Sequence, residues 1–219
     1  MNSIIERLRR GGYEAFHWSG RDGTFRDLSE SPLVLTPAGP PTIDKTAHGF
    51  SLNCDTGKYL NSNAGTKFAV GTGDFSFSSW FKVRDLTVFN NIACVGWNGF
   101  ATGARLYQSG GLIYASTRSS VGAEKIATNA LANTFWNHVL LVRESQVLYG
   151  YLNGLAMTTP SAVTATADFA IHARTRIGAD GAAAPGTYMH GYVDTILFHT
   201  IALSASDASE LYGQTQPRG

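Results

Sequence analysis

Between residues 74 and 83 the chain reads DFSFSSWFKV, and its side chains alternate. Phe75, Phe77, Phe81 and Val83 share one parity with Ser79, while Ser76, Ser78, Trp80 and Lys82 share the other. A period of two predicts a strand with one face on a core and a second, mixed face carrying one large aromatic. Further strands are expected at 49–53, 88–96, 104–108 and 112–117, the last two joined through a Gly110-Gly111 turn. Residues 136–142 and 147–152 flank a turn at 143–146. Asn153-Gly154 then makes a two-residue hairpin, because both positions tolerate positive φ, and 155–158 completes a meander. After a strand at 174–178 comes a long one at 190–200. Strict alternation there puts Tyr192, Asp194, Ile196 and Phe198 on one side, and Val193, Thr195, Leu197 and His199 on the other.

Helices are expected only at the two ends. Over 2–10, Ser3 and Glu6 have capping-box spacing, and Gly11-Gly12 stops the run. Ile4, Ile5 and Leu8 share a face, with Glu6, Arg7, Arg9 and Arg10 around the rest. Two turns are too few to hold in water without packing. This arm therefore docks on its own domain, frays, or docks on a partner through Ile4, Ile5, Leu8, Arg7, Arg9 and Arg10. At the other end Ser204 caps a helix over 205–212 that Gly213 closes. No βαβ alternation occurs, so the economical architecture is all-β: a two-sheet antiparallel sandwich at 13–213, an arm at 1–12 and a tail at 214–219.

Composition narrows the partners. Charged residues reach 15%, against a usual share of about 25%, so the surface is built from Ser, Thr, Asn and Gly. A net charge of +1 argues against a dedicated nucleic-acid binder with its basic stripe. No apolar run approaches the ~20 residues of a membrane span, and the charged start is not a secretory signal. Cys54 and Cys94 form either a single bridge or two buried free thiols.

Three segments carry a resemblance. DFSFSSWFKV at 74–83 looks like a Phe-x-Ile-Ser-x-Trp strand, with Phe75 and Trp80 at the aromatic positions and Phe77 replacing the aliphatic. In WNHVLLVRESQVLYGYLNG at 136–154, Trp136, His138, Tyr151, Asn153 and Gly154 match a Trp-x-His strand followed by a strand that closes on Asn-Gly. In 176–212, the matches are Ile177, Gly178, Gly191, Val193, Asp194, Leu203 and Ser204. In this order they resemble the laminin-G-like, concanavalin-A-like lectin/glucanase jelly-roll superfamily, as does AFHWSGRDGTFRDLSE at 15–30. The resemblance implies a jelly roll with one curved face, and Trp18, Trp80 and Trp136 in strand motifs of its core. It names no ligand, since one fold hosts many functions.

Glucanases of this superfamily aim paired carboxylates from one strand, in a Glu-x-Asp-x-(x)-Glu run, at the sugar. This chain has no Glu-x-Asp, and none of its glutamates (Glu6, Glu14, Glu30, Glu124, Glu144 and Glu210) is expected in mid-strand. There is no Gly-x-Ser-x-Gly elbow either. No enzyme activity is therefore expected. A calcium ion, held by some relatives at a loop edge, would look to Asp22 and Asp180 first and to Asp55 and Asp194 after them. Asp194, on a strand, is expected to serve loop amides instead; no other cofactor is implied. For a glycan, Trp97 and Asn98 form the best loop, with Tyr107, Tyr114 and Tyr188 in support; the alternative is that Trp97 plugs the sandwich end.

The expected function is a non-enzymatic binding or structural protein. Its first form is a phage virion accessory subunit, made in the host cytoplasm and exposed on capsid or tail for adhesion. Its partners there would be other virion proteins, copies of itself, or a host-surface glycan. Its second form is a free carbohydrate-binding module, and a β-glucan hydrolase relative is the remote third.

Overall fold

The computed structural model describes residues 3–20, 23–47, 49–63, 67–95, 103–119, 122–130, 134–157, 169, 174–182 and 184–216. Eight strands form a first sheet: β1 (Glu14–Trp18), β3 (Thr42–Thr46), β4 (Gly49–Cys54), β6 (Phe75–Val83), β11 (Asn137–Glu144), β12 (Val147–Leu152), β13 (Leu155–Ala156) and β15 (Gly191–His199). A second sheet has seven: β2 (Thr36–Ala38), β5 (Tyr59–Asn63), β7 (Asn90–Val95), β8 (Gly103–Ser109), β9 (Leu112–Ser119), β10 (Gly122–Ala130) and β14 (Arg174–Ile177). Helices α1 (Ile4–Arg10) and α2 (Ala205–Thr215) stand at the two ends of the chain. The spatial orders are β13-β12-β11-β6-β15-β4-β3, with β1 also on β15, and β10-β9-β8-β7-β14-β5-β2. Sequential hairpins such as β8-β9 and β11-β12 alternate with pairs of strands far apart in sequence, such as β6-β15 and β7-β14, and the pairs are antiparallel, as in a jelly roll.

Alternation builds the core as expected. Phe75, Phe77, Phe81 and Val83 of β6 are fully buried, and Phe75 stacks on Phe198 with ring centroids 5.4 Å apart. Leu60, Ile92, Leu106 and Ile177 face them from the second sheet. Each fully buried side chain of this size stabilises the fold by about 1.5–3 kcal/mol before ordering costs.

On β15 strict alternation fails. Its register against β6 shifts between Asp194 and Ile196, and Thr195, with φ of 43°, is the extra residue of a bulge. A β-branched residue in the left-handed region is strained. Asp194 holds it there. Its Oδ1 accepts from the Thr195 amide at 2.7 Å, the Gly20 amide at 3.1 Å and the Ser19 hydroxyl at 3.1 Å. Val193, Ile196 and Phe198 thereby all join the core, while Leu197 and His199 turn outward with Tyr192 and Asp194.

The outward face of the first sheet is closed by the two helices. Leu140, Val142, Tyr151 and Leu197 form a second apolar cluster with Ile4 and Leu8 of α1 and Ala208 and Leu211 of α2; Ile5 packs at its margin. Small outward residues admit this layer: the Ser76 hydroxyl donates to the Ile201 carbonyl and accepts from the Leu203 amide, both short bonds. The basic residues of α1 find partners in the same chain. Arg7 meets Glu210 at 2.9 Å, Arg9 meets Glu14 at 3.2 Å and Arg10 meets Glu6 at 3.3 Å. Of the fates the sequence leaves open for this arm, the structure shows docking on its own domain: Ile4 and Leu8 are buried, Ile5 packs beside them, and Arg7, Arg9 and Arg10 pair within the chain.

Other expectations shift for similar reasons. Trp18 is in the central core, but Trp80 is buried outside it, under α2. Its indole N–H donates to Thr215 at 2.6 Å, and Tyr212 stacks on it at 5.5 Å. Trp136 is partly exposed and tilted against Tyr192. Helix α2 runs through Gly213 to Thr215, because its packing on Trp80 extends past the glycine. Residues 122–130, whose composition predicts a polar loop, form β10, and Glu124 lies within it. Cys54 and Cys94 are free and buried. Among the described residues no helix is long and apolar enough to cross a membrane.

Apolar contact, not the surface ion pairs, should hold α1. Leu8→Ala is expected to lower unfolding free energy by about 2–4 kcal/mol in urea titration, whereas Arg7→Ala should leave the midpoint within error.

Candidate functional site

On the outward face of the second sheet Asn91, Cys94, Tyr107, Ser116 and Arg176 are buried, while Arg105, Tyr114 and Arg118 are partly exposed. The residues of this face follow from register. Tyr107 of β8 lies opposite Tyr114 of β9 and Asn91 of β7; Arg105 lies opposite Ser116 and Cys94; Arg176 lies opposite Cys94 and Asn61. The other parity, Leu60, Ala93, Leu106, Ala115 and Ile177, is in the core.

Cross-strand register brings the aromatics together. Phe89, Tyr107 and Tyr114 form a ladder, with centroid spacings of 5.0 Å and 4.8 Å and interplanar angles of 14° and 10°. The Arg105 guanidinium lies 4.3 Å from the Tyr107 centroid and 5.5 Å from that of Phe89. Burial pushes the Tyr107 phenol above its ordinary pKa, and Arg105 offsets part of the rise. Tyr107 therefore keeps its proton and can donate as well as accept. Two polar atoms flank the ladder. Asn91 Oδ1 and Ser116 Oγ are buried and have no hydrogen-bond partner among the described residues. The Asn91 amide group donates to the Thr187 hydroxyl.

The segment between β14 and β15 borders the face, and Asp180 organises it. One carboxylate oxygen accepts from the Ala182 amide at 2.9 Å; the other accepts from the Gly186 amide, the Thr187 amide and the Thr187 hydroxyl at 2.8–3.0 Å. Burial raises the Asp180 pKa, but these bonds outweigh it and hold the carboxyl below its ordinary value. Arg176 ties the segment down, donating to the Asp180 and Ala182 carbonyls and to Asn61.

Of the residues expected to bind a glycan, Tyr107 and Tyr114 are stacked together. Tyr188 is nearby but separate: it packs on Tyr59 at 6.1 Å and donates its hydroxyl to Pro185. Trp97 and Asn98 lie outside the described residues, as does Asp22. Asp180, expected as a cation ligand, has both its oxygens hydrogen-bonded to loop donors. Asp194 serves the Thr195 bulge, and Asp55 accepts from the Thr56 amide and pairs with His190 at 3.0 Å. Among the described residues no three His, Cys, Asp or Glu side chains converge. Phe89, Asn91, Arg105 and Ser116 were missed from sequence. The hairpin could have revealed two of them: a two-residue turn at Gly110-Gly111 sets Ser109 opposite Leu112, hence Tyr107 opposite Tyr114 and Arg105 opposite Ser116.

A family model described as the concanavalin A-like lectin/glucanases superfamily (Laminin_G_3) matches residues 55–209. The chain belongs to this superfamily. No curated protein matches this superfamily member in sequence. Among solved structures, the binding domain of Paraclostridial Mosquitocidal Protein 1 superposes with a TM-score of 0.76 at 12% identity, covering 94% of this chain and 53% of that one. The botulinum neurotoxin serotype C1 binding domain gives 0.76 at 11%, covering 95% and 53%. A further receptor binding domain gives 0.78 at 12%, covering 98% and 53%. At such identities the likeness is one of fold, and this superfamily member spans about half the length of those chains.

The depressed Asp180 carboxyl makes a pH prediction. A group whose folded pKa lies below its unfolded value stabilises fully above the unfolded value, near 3.8, and loses that contribution as pH falls through the folded pKa. Thermal melts from pH 7 downward should show a loss of stability below about pH 4 that is smaller in Asp180→Asn.

Proposed function

We propose that this protein is a non-catalytic, lectin-like adhesion module that binds carbohydrate on the outward face of its second sheet. The observation that carries the reading is the Phe89–Tyr107–Tyr114 ladder crossed by Arg105 and flanked by Asn91 and Ser116. A few polar groups placed on a rigid aromatic frame suit a ligand rich in hydroxyls. Catalysis of the glucanase type lacks its reagents on this face. Apart from Glu124 in β10, no strand of the second sheet contains an Asp or Glu, so no pair of strand carboxylates can act as acid and nucleophile there.

The similar structures are binding domains, and botulinum neurotoxin type C needs interaction with two ganglioside molecules to enter cells. Those chains are about twice as long, so the support is for recognition in general. With α1 packed on the sandwich, the free glycan-binding module is preferred here to a virion subunit that attaches through that arm.

A glycan array tests the reading. The wild type should bind a defined set of glycans, Tyr107→Ala should lose roughly tenfold or more in affinity, and turnover on β-glucans should be absent. Turnover, or an array signal untouched by Tyr107→Ala, would count against it.

A further inference from the structure

Charge on the second sheet is sorted by face. Its strands carry Arg105, Arg118, Arg174, Arg176 and Lys125 against a single carboxylate, Glu124. Register places Arg105, Arg118, Arg174 and Arg176 on the outward parity, with Tyr107 and Tyr114. In a chain with net charge +1 this is a local concentration. Arg176 is buried and holds the bordering segment, whereas Arg105, Arg118 and Arg174 are partly exposed. Arg105 and Arg118 lie on adjacent strands, two residues out of register, so their Cβ atoms are within about 7–8 Å.

The ladder narrows the ligand further. Its rings stack on one another at 4.8–5.0 Å, so the inner ring faces are closed to a sugar ring or a nucleobase. It offers ring edges, phenol hydroxyls and the guanidinium across them. Recognition then runs through charge and hydrogen bonds from the partly exposed Arg105, Tyr114 and Arg118. We propose that the outward face of the second sheet takes an acidic polysaccharide: the partly exposed Arg105 and Arg118 hold its carboxylate or sulfate groups, and the Tyr114 hydroxyl meets its sugar hydroxyls. This rests on the glycan-binding reading above and adds the ligand's charge.

The test is biolayer interferometry with immobilised polygalacturonate, dextran sulfate, uncharged dextran and oligo(dT). At least one acidic polymer should bind, dextran should not, and affinity should fall as salt rises from about 50 to about 200 mM. Arg105→Gln and Arg118→Gln should each weaken binding roughly tenfold, while Arg84→Gln, an equal loss of charge outside this sheet, should not. Melting curves identify any variant that fails to fold, and Arg105→Lys then replaces Arg105→Gln, with partial loss expected. Equal binding to dextran would overturn the acidic preference and leave the glycan reading standing. Failure of both acidic polymers would overturn the proposal, and the array decides separately whether any glycan binds. Tighter binding to oligo(dT) than to either polysaccharide would assign the face to nucleic acid instead. Equal weakening by Arg84→Gln and Arg105→Gln would remove the site from this face.

Discussion

Two stacked sheets have four faces, and the core consumes only two. The contact that fixes the rest is the packing of Phe75, Phe77, Phe81 and Phe198 against Leu60, Ile92, Leu106 and Ile177. Once those parities point inward, the opposite parities must point outward, because side chains alternate along a strand. On the first sheet the outward parity includes Leu140, Val142, Tyr151 and Leu197, and α1 and α2 pack on them. On the second it is aromatic, cationic and polar. The proposed binding surface is thus a consequence of which residues the core did not take.

That surface is held rigidly. Tyr107 and Tyr114 come from paired central strands, so their spacing is set by the sheet. Asn91 is anchored by Thr187, which is anchored in turn by Asp180, and Arg176 ties the same segment to β5. Such a frame loses little freedom on binding, which favours affinity from few contacts. Cys94 lies on the outward parity but beneath this segment, where burial pushes its thiol up to about 12.

Much of the architecture was legible because local signals and tertiary demands agree. Strand β6 alternates cleanly, β12 ends where Asn153-Gly154 turns, and Ser204 caps α2 with Asp207. What was illegible needed a distant partner. The bulge at Thr195 depends on Ser19 and Gly20, more than 170 residues away. The burial of Trp80 depends on α2. A strand such as β10, rich in Ala, Thr and Asn, shows itself only by pairing with β9. At the candidate site, the stack was implicit in the Gly110-Gly111 hairpin, whereas the sorting of charge by face was hidden by a net charge of +1.

The most direct measurement is an amide NMR titration of the nitrogen-15-labelled protein with the glycan that it binds best on the array. If the second sheet's outward face is the binding surface, the largest shifts will fall on Asn91, Arg105, Tyr107, Tyr114 and Ser116, and signals of α1, α2 and β13 will stay in place. Shifts centred on those helices or on the β12–β13 hairpin would contradict the account.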